Sequence, residues 1–186
     1  INGNLLINAG ATIDPNFSTI TLSGNFTNSG TFSPSGSTLK LTGTSKTITG
    51  TSTLYTLVAL GSYTVVSGTT SMAGDLIVAT GASLNFGSNT AILDGDLTVS
   101  GSLTSNGTAT FTGTRVQTLQ IINAIISSST GIINFNGTVA PVLNSNTSPT
   151  FATLNINNTA GITPSVPWTV FFACNIGAGA TFNGGN

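Results

Sequence analysis

The sequence predicts an all-β fold: a right-handed parallel β-solenoid of about nine coils, with a period near 21 residues. Three observations predict it. A long internal repeat brings the phrase at Gly3 back at Gly74, a shorter glycine-led period brings it back at Gly24, and the segments between glycines alternate apolar with polar residues. A β-sandwich is the alternative all-β reading, but a sandwich does not call for repetition at either spacing.

The long repeat begins at residues 3–13, GNLLINAGATI, which match residues 74–84, GDLIVATGASL. Leu22-Ser23-Gly24-Asn25-Phe26 then matches Leu93-Asp94-Gly95-Asp96-Leu97, and Gly30-Thr31-Phe32 matches Gly101-Ser102-Leu103. Lys46-Thr47-Ile48 matches Gln117-Thr118-Leu119. Beyond that point the second copy carries an insertion, after which Thr56-Leu57 realigns with Thr153-Leu154. Gly81-Ala82-Ser83-Leu84 realigns with Gly179-Ala180-Thr181-Phe182. One solenoid domain, 1–186, thus contains units at approximately 3–73 and 74–171 and the start of a third at 172–186.

The finer elements follow in the same order. The phrases GNLLI, GNFTN, GDLIV and GDLTV each open on glycine, and the step from Gly3 to Gly24 equals the step from Gly74 to Gly95. Asp96-Leu97-Thr98-Val99, Thr110-Phe111-Thr112 and Leu154-Asn155-Ile156 alternate at period two, the signature of a half-buried strand. Gly, Ser-Gly and Asn-Gly supply the turns between them. No window has helical periodicity, which leaves no place for a helix. Leu, Ile, Val and Phe are expected to point inward, with Thr, Ser and Asn outward and stacked as ladders between coils. At roughly 4.8 Å per coil the rod would be about 40 Å long.

Composition bounds the function. Thr, Ser, Asn and Gly number 34, 22, 20 and 23, whereas charged residues make up 4% of the chain against about 25% in ordinary domains. The charges are Lys40, Lys46, Arg115, Asp14, Asp75, Asp94 and Asp96. Without histidine there is no Ser-His or Cys-His nucleophile and no His-ligated metal. Three cations do not neutralise a nucleic-acid backbone, so nucleic acid is excluded as a partner. The most apolar stretch, Val166 to Cys174, contains Pro167 and is too short to insert in a membrane as a helix.

Phrases such as Leu41-Thr42-Gly43-Thr44-Ser45-Lys46-Thr47-Ile48 and Phe111-Thr112-Gly113-Thr114-Arg115-Val116-Gln117-Thr118-Leu119 resemble a repeat of large secreted bacterial surface proteins. There an FxGxxxQTI phrase precedes an xxNLxI strand, for which residues 152–163 are the counterpart. The wider resemblance is to filamentous-haemagglutinin-like and autotransporter-like adhesin β-solenoids. It implies a solenoid fold and an extracellular or cell-surface location. It brings no catalytic, cofactor-binding or metal-binding residue.

Several residues invite a sharper reading. Asp94-Gly95-Asp96 is the closest carboxylate pair and suits Ca²⁺ or acid–base chemistry. The repeat favours a turn role instead, because Asp75 and Asp96 stand where Asn4 and Asn25 stand in the first unit. No catalytic, metal or cofactor site is therefore expected, and no enzyme, although a cleft gathering Asp94, Asp96 and a cation would argue for one. Thr19-Ile20-Thr21, Thr47-Ile48-Thr49, Thr108-Ala109-Thr110 and Thr110-Phe111-Thr112 raise ice binding, but they do not recur at one phase of the glycine period. Asn16, Asn25, Asn106, Asn136, Asn146 and Asn157 head Asn-x-Ser/Thr sequons, as many as composition alone predicts. Trp168 is read as coil packing rather than a sugar platform, and Cys174 as a small buried hydrophobe.

Neither end shows a capping segment, which predicts stacking of copies end to end or continuation within a longer solenoid. The expected function is structural: a surface fibre, filament or adhesin stalk assembled from coils, with glycans or cell surfaces as partners. A carbohydrate- or ice-binding surface module is the alternative, and a degraded or Ca²⁺-dependent polysaccharide enzyme the third.

Overall fold

The structure, a computed structural model, describes residues 1–122 and 130–184 and the main chain of 125–127 between them. Among these residues there is no helix, and the strands wind as a parallel β-solenoid of about eight turns, three strands to a turn. The first turn is β1 (Leu5–Ile7), β2 (Thr12–Ile13) and β3 (Thr19–Leu22), and the second is β4 (Phe26–Asn28), β5 (Thr31–Phe32) and β6 (Thr38–Leu41). Then come β7 (Lys46–Thr49), β8 (Ser52–Leu54) and β9 (Thr56–Ala59), followed by β10 (Ser62–Ser67), β11 (Thr69–Met72) and β12 (Leu76–Val78). The fifth turn is β13 (Ser83–Asn85), β14 (Thr90–Leu93) and β15 (Leu97–Val99), and the sixth β16 (Ser102–Thr104), β17 (Thr108–Phe111) and β18 (Thr118–Ile121). The seventh is β19 (Ile125–Ser127), β20 (Ile132–Phe135) and β21 (Val142–Ser145). Last are two longer strands, β22 (Thr150–Ile156) and β23 (Thr169–Ile176).

Every strand pairs in parallel with the strand one turn away, so three faces form. The first face runs from β1 through β4, β7, β10, β13 and β16 to β19, and the third from β3 through β6, β9, β12, β15 and β18 to β21. The second face carries β8, β11, β14, β17 and β20, with β2 and β5 as a short separate pair beside β8. β22 spans two faces, since Thr150 pairs Ser127 of β19 while Thr153 pairs Ile132 of β20.

Turns are not of equal length. They are shortest where Tyr63 lies on Lys46 and longest where Leu143 lies on Leu119. The longer late turns are why there are about eight rather than nine. At about 4.8 Å per turn, eight turns make a rod of roughly 38 Å.

Alternation places the core. On the third face Ile20, Leu39, Leu57, Leu76, Leu97, Leu119 and Leu143 stack in a single inward column. Leu39 through Leu119 of that column are at most 3% exposed. Each such side chain contributes about 1.5–3 kcal/mol of apolar burial. The late turns fill their wider bore with rings: Phe111 stacks on Phe135 at 4.8 Å, and Trp168 packs against Phe135, Phe151 and Phe182 at 5.5, 5.2 and 5.9 Å. Trp168 therefore lies against the interior, not on a sugar-facing loop.

Cys174 departs from expectation. Its apolar neighbours in sequence predict burial, and it is exposed. Its register with Leu154, which is 0% exposed, points it inward, yet no strand covers the outer edge of β23 among the described residues. For the same reason Phe171, Phe172 and Ile176 on β23 are 64%, 73% and 52% exposed.

Candidate functional site

Asp75, Asp94, Asp96 and Arg115 sit at the corners between faces, whereas Lys40 lies within β6 and Cys174 within β23, and the corners explain why the first four are there. Gly24 follows β3 and Gly95 follows β14, and each passes so close to the turn below that a Cβ would land on the carbonyl of Gly3 or Gly74. The residue after each glycine then ties the turns together. Asn4 Oδ1 accepts the Asn25 N–H at 2.8 Å, and Asn25 Oδ1 accepts the Thr47 N–H at 3.0 Å. In the second unit Asp75 Oδ1 accepts the Asp96 N–H at 3.0 Å, and Asp96 Oδ1 accepts the Thr118 N–H at 2.8 Å. Asn and Asp interchange here because the corner needs one side-chain oxygen, not a charge.

Asp94 does gather beside a cation. Its Oδ1 accepts the hydroxyls of Thr112 and Thr114. Those two hydroxyls, more than the nearby guanidinium of Arg115, hold its carboxyl below the ordinary carboxylate range. Arg115 Nε donates to the Asp94 carbonyl at 2.9 Å, and its guanidinium faces Asp75 at 3.5 Å with both side chains 46% exposed. Asp75, Asp94, Asp96 and Arg115 thus share one corner column. Each carboxylate is engaged by a neighbouring turn, and none of them lines the interior cavity or the groove on the first face. Among the described residues no three His, Cys, Asp or Glu side chains form a group able to hold a metal ion.

Behind each corner lies a buried polar plug. Gln117 is 1% exposed; its Nε2 donates to the Leu93 and Gly95 carbonyls and its Oε1 accepts the Gly113 N–H, all at 3.0 Å. In the first unit the matching position is Lys46, and Tyr63 closes the corner from the next turn. Its hydroxyl lies 3.1 and 3.0 Å from the Leu22 and Gly24 carbonyls and accepts the Gly43 N–H at 3.2 Å. The glutamine of the QTL phrase is legible in the sequence as part of a motif, but its inward role is not.

The outer faces divide the threonine triplets. Thr19-Ile20-Thr21 lies on β3 of the third face, Thr47-Ile48-Thr49 on β7 of the first, and the two triplets at 108–112 on the second. One column escaped sequence reasoning: Thr69, Thr90 and Thr108 stack one per turn on the second face, interrupted by Ile132 and resumed by Thr153. The step from Thr69 to Thr90 is longer than the step from Thr90 to Thr108, and that inequality hides the column. Beside it runs an amide ladder, in which Asn175 Nδ2 donates to Asn155 Oδ1 and Asn155 Nδ2 to Asn134 Oδ1, both at 2.8 Å. Asn134 Nδ2 donates to Thr110 Oγ1 at 3.2 Å. Of the sequon asparagines, Asn16 is exposed, while Asn25, Asn136 and Asn157 have side-chain hydrogen bonds to adjoining turns.

Compared with known proteins, the chain matches no family model, no curated protein and no solved structure.

Proposed function

We propose that the chain is a non-catalytic structural segment of an extracellular fibre, filament or adhesin stalk, built by stacking β-solenoid turns. The observation that carries this reading is a mismatch between two periods. The phrase at β1 returns at β12, the β3–β4 corner at β14–β15, β5 at β16, and β7 at β18. Each step is eleven strands, or three and two-thirds turns, so a repeated phrase moves to a different face. The insertion in the second unit keeps this phase. β9 realigns with the second-face part of β22, one whole turn further on.

A flat recognition surface, such as one matching an ice lattice, requires the same side chains to return to the same face. A rod requires only that strand and corner phrases return. Over the long repeat the faces rotate, and on the second face Ile132 breaks the threonine column of Thr69, Thr90 and Thr108, which supports the structural reading over the ice-binding one. The resemblance to filamentous-haemagglutinin-like repeats supports the same reading and the surface location.

The test is electron microscopy with diffraction across a concentration series, joined to thiol labelling of Cys174. Stacked turns should give filaments with an axial repeat of about 4.8 Å, and Cys174 should lose reactivity as they form. Globular particles without that repeat would sink the reading. Filaments in which Cys174 stays fully reactive would exclude stacking over β23.

A further inference from the structure

We propose that the interior of the late turns is a binding site for a compact, mostly apolar molecule with a single hydroxyl, of the class of the short alcohols. A cavity of about 40 Å³ lies there, and the residues that line it are apolar except Ser105 and Ser145. Ser105 is 6% exposed, and its Oγ has no hydrogen-bond partner among the described residues. A buried hydroxyl without a partner is costly, so a ligand that supplies one is favoured.

The cavity follows from small inward side chains in successive turns. On the second face Ala91 of β14 pairs with Ala109 of β17, and both are buried. On the first face Asn85 pairs with Thr104, and the residues that follow them, Phe86 and Ser105, are both buried. A phenyl ring is thus followed one turn later by a hydroxymethyl group, which leaves space above the ring. The stacked rings of Phe111, Phe135 and Trp168 form part of the wall.

Size and polarity together select the ligand. A water needs about 10–15 Å³ of such space, so the cavity takes about three heavy atoms. A bound water also needs two to four polar partners, and one buried hydroxyl in an apolar wall offers too few. A rare-gas atom suits the wall but leaves Ser105 Oγ unpaired, and a ligand polar at both ends brings a second group that finds no partner. A two-carbon alcohol meets both demands, with its hydroxyl on Ser105 and its carbons against the apolar wall. Leu143, Ser145 and Trp168 are half-buried whereas the other lining residues are buried, which places the way in on their side.

The site belongs to the rod itself and does not depend on fibre assembly. The test titrates the whole chain with ethanol, with formamide, which matches it in heavy atoms but is polar at both ends, and with xenon. The readouts are the methyl chemical shifts of Ala91 and Ala109 and the fluorescence of Trp168, the one tryptophan of the chain. Ethanol should saturate these signals with a Kd no tighter than roughly 0.5 mM, the ceiling for so few atoms. It should bind about tenfold more tightly than formamide. Ser105→Ala should weaken ethanol by about tenfold and leave xenon bound, while Ala109→Val, which fills the space, should abolish both. No saturable change with ethanol, equal binding of formamide, or unchanged ethanol affinity in Ser105→Ala would each overturn the proposal. Binding of xenon without ethanol would overturn it too, by showing a cavity in which the hydroxyl plays no part. Unfolding midpoints check folding, and Ser105→Ala, which removes only an unpartnered oxygen, carries the test if Ala109→Val does not fold.

Discussion

Gln117 shows how much a single polar side chain decides inside this rod. It satisfies one N–H and two carbonyls in a space closed to water. Gln117→Leu keeps the volume but leaves the Gly113 N–H and the Gly95 carbonyl without that partner. A loss of roughly 2–4 kcal/mol in chemical unfolding is the expected result. Asp94 acts through its charge. Its carboxyl titrates below its ordinary value of 3.8 because Thr112 and Thr114 donate to the ionised form. The folded state therefore binds that proton less readily than the unfolded chain, so this stabilisation is present above about pH 4 and is lost as pH falls further. Thermal melts should be level from about pH 9 down to 5 and decline below about 4, and Asp94→Asn should shrink the decline. Tyr63 sets the opposite limit. Burial pushes its hydroxyl above 10, so its stabilisation is complete below pH 10 and is lost as pH rises beyond.

At the scale of elements, the strand and corner phrase is the unit that is copied. Leu5-Leu6-Ile7 serves on the first face and Leu76-Ile77-Val78 on the third, with one residue of each triplet turned outward. Three equivalent faces make a whole turn removable. Deleting residues 83–101 brings Ser102 over Ser62, Thr108 over Thr69 and Leu119 over Leu76, because each pair already shares one intervening partner. That deletion should keep a single cooperative transition and shorten the rod by about 4.8 Å in small-angle scattering. Deleting Ala91 alone, in the middle of β14, should be far more damaging. It turns Ile92 inward and Leu93 outward, since a one-residue slip exchanges the two sides of a strand.

At the scale of the whole molecule, the rod has a net charge of −1 and an interior that continues from turn to turn. Near-zero charge removes the repulsion that keeps most proteins apart. Among the described residues the paired strands leave an outer edge at β23, with Cys174 in inward register. Loss of Cys174 reactivity on assembly is thus a prediction about the whole rod, not about cysteine chemistry.

Period-two alternation and the spacing of Gly3, Gly24, Gly74 and Gly95 made the solenoid legible in the sequence, because strand pleat and corner crowding are local demands met by local residue types. The corner role of Asp75 and Asp96 was legible for the same reason, through their exchange with Asn4 and Asn25. Register was not. Which threonines share a column and whether Tyr63 or Gln117 closes a corner both depend on turns of unequal length. Cys174 failed for a related reason: its neighbours in sequence are apolar, but burial depends on the turn that covers it. The chain by itself determined strand, corner and repeat. Only the stacking of one turn on another, a contact between residues a full turn apart in the chain, decided what each side chain faces.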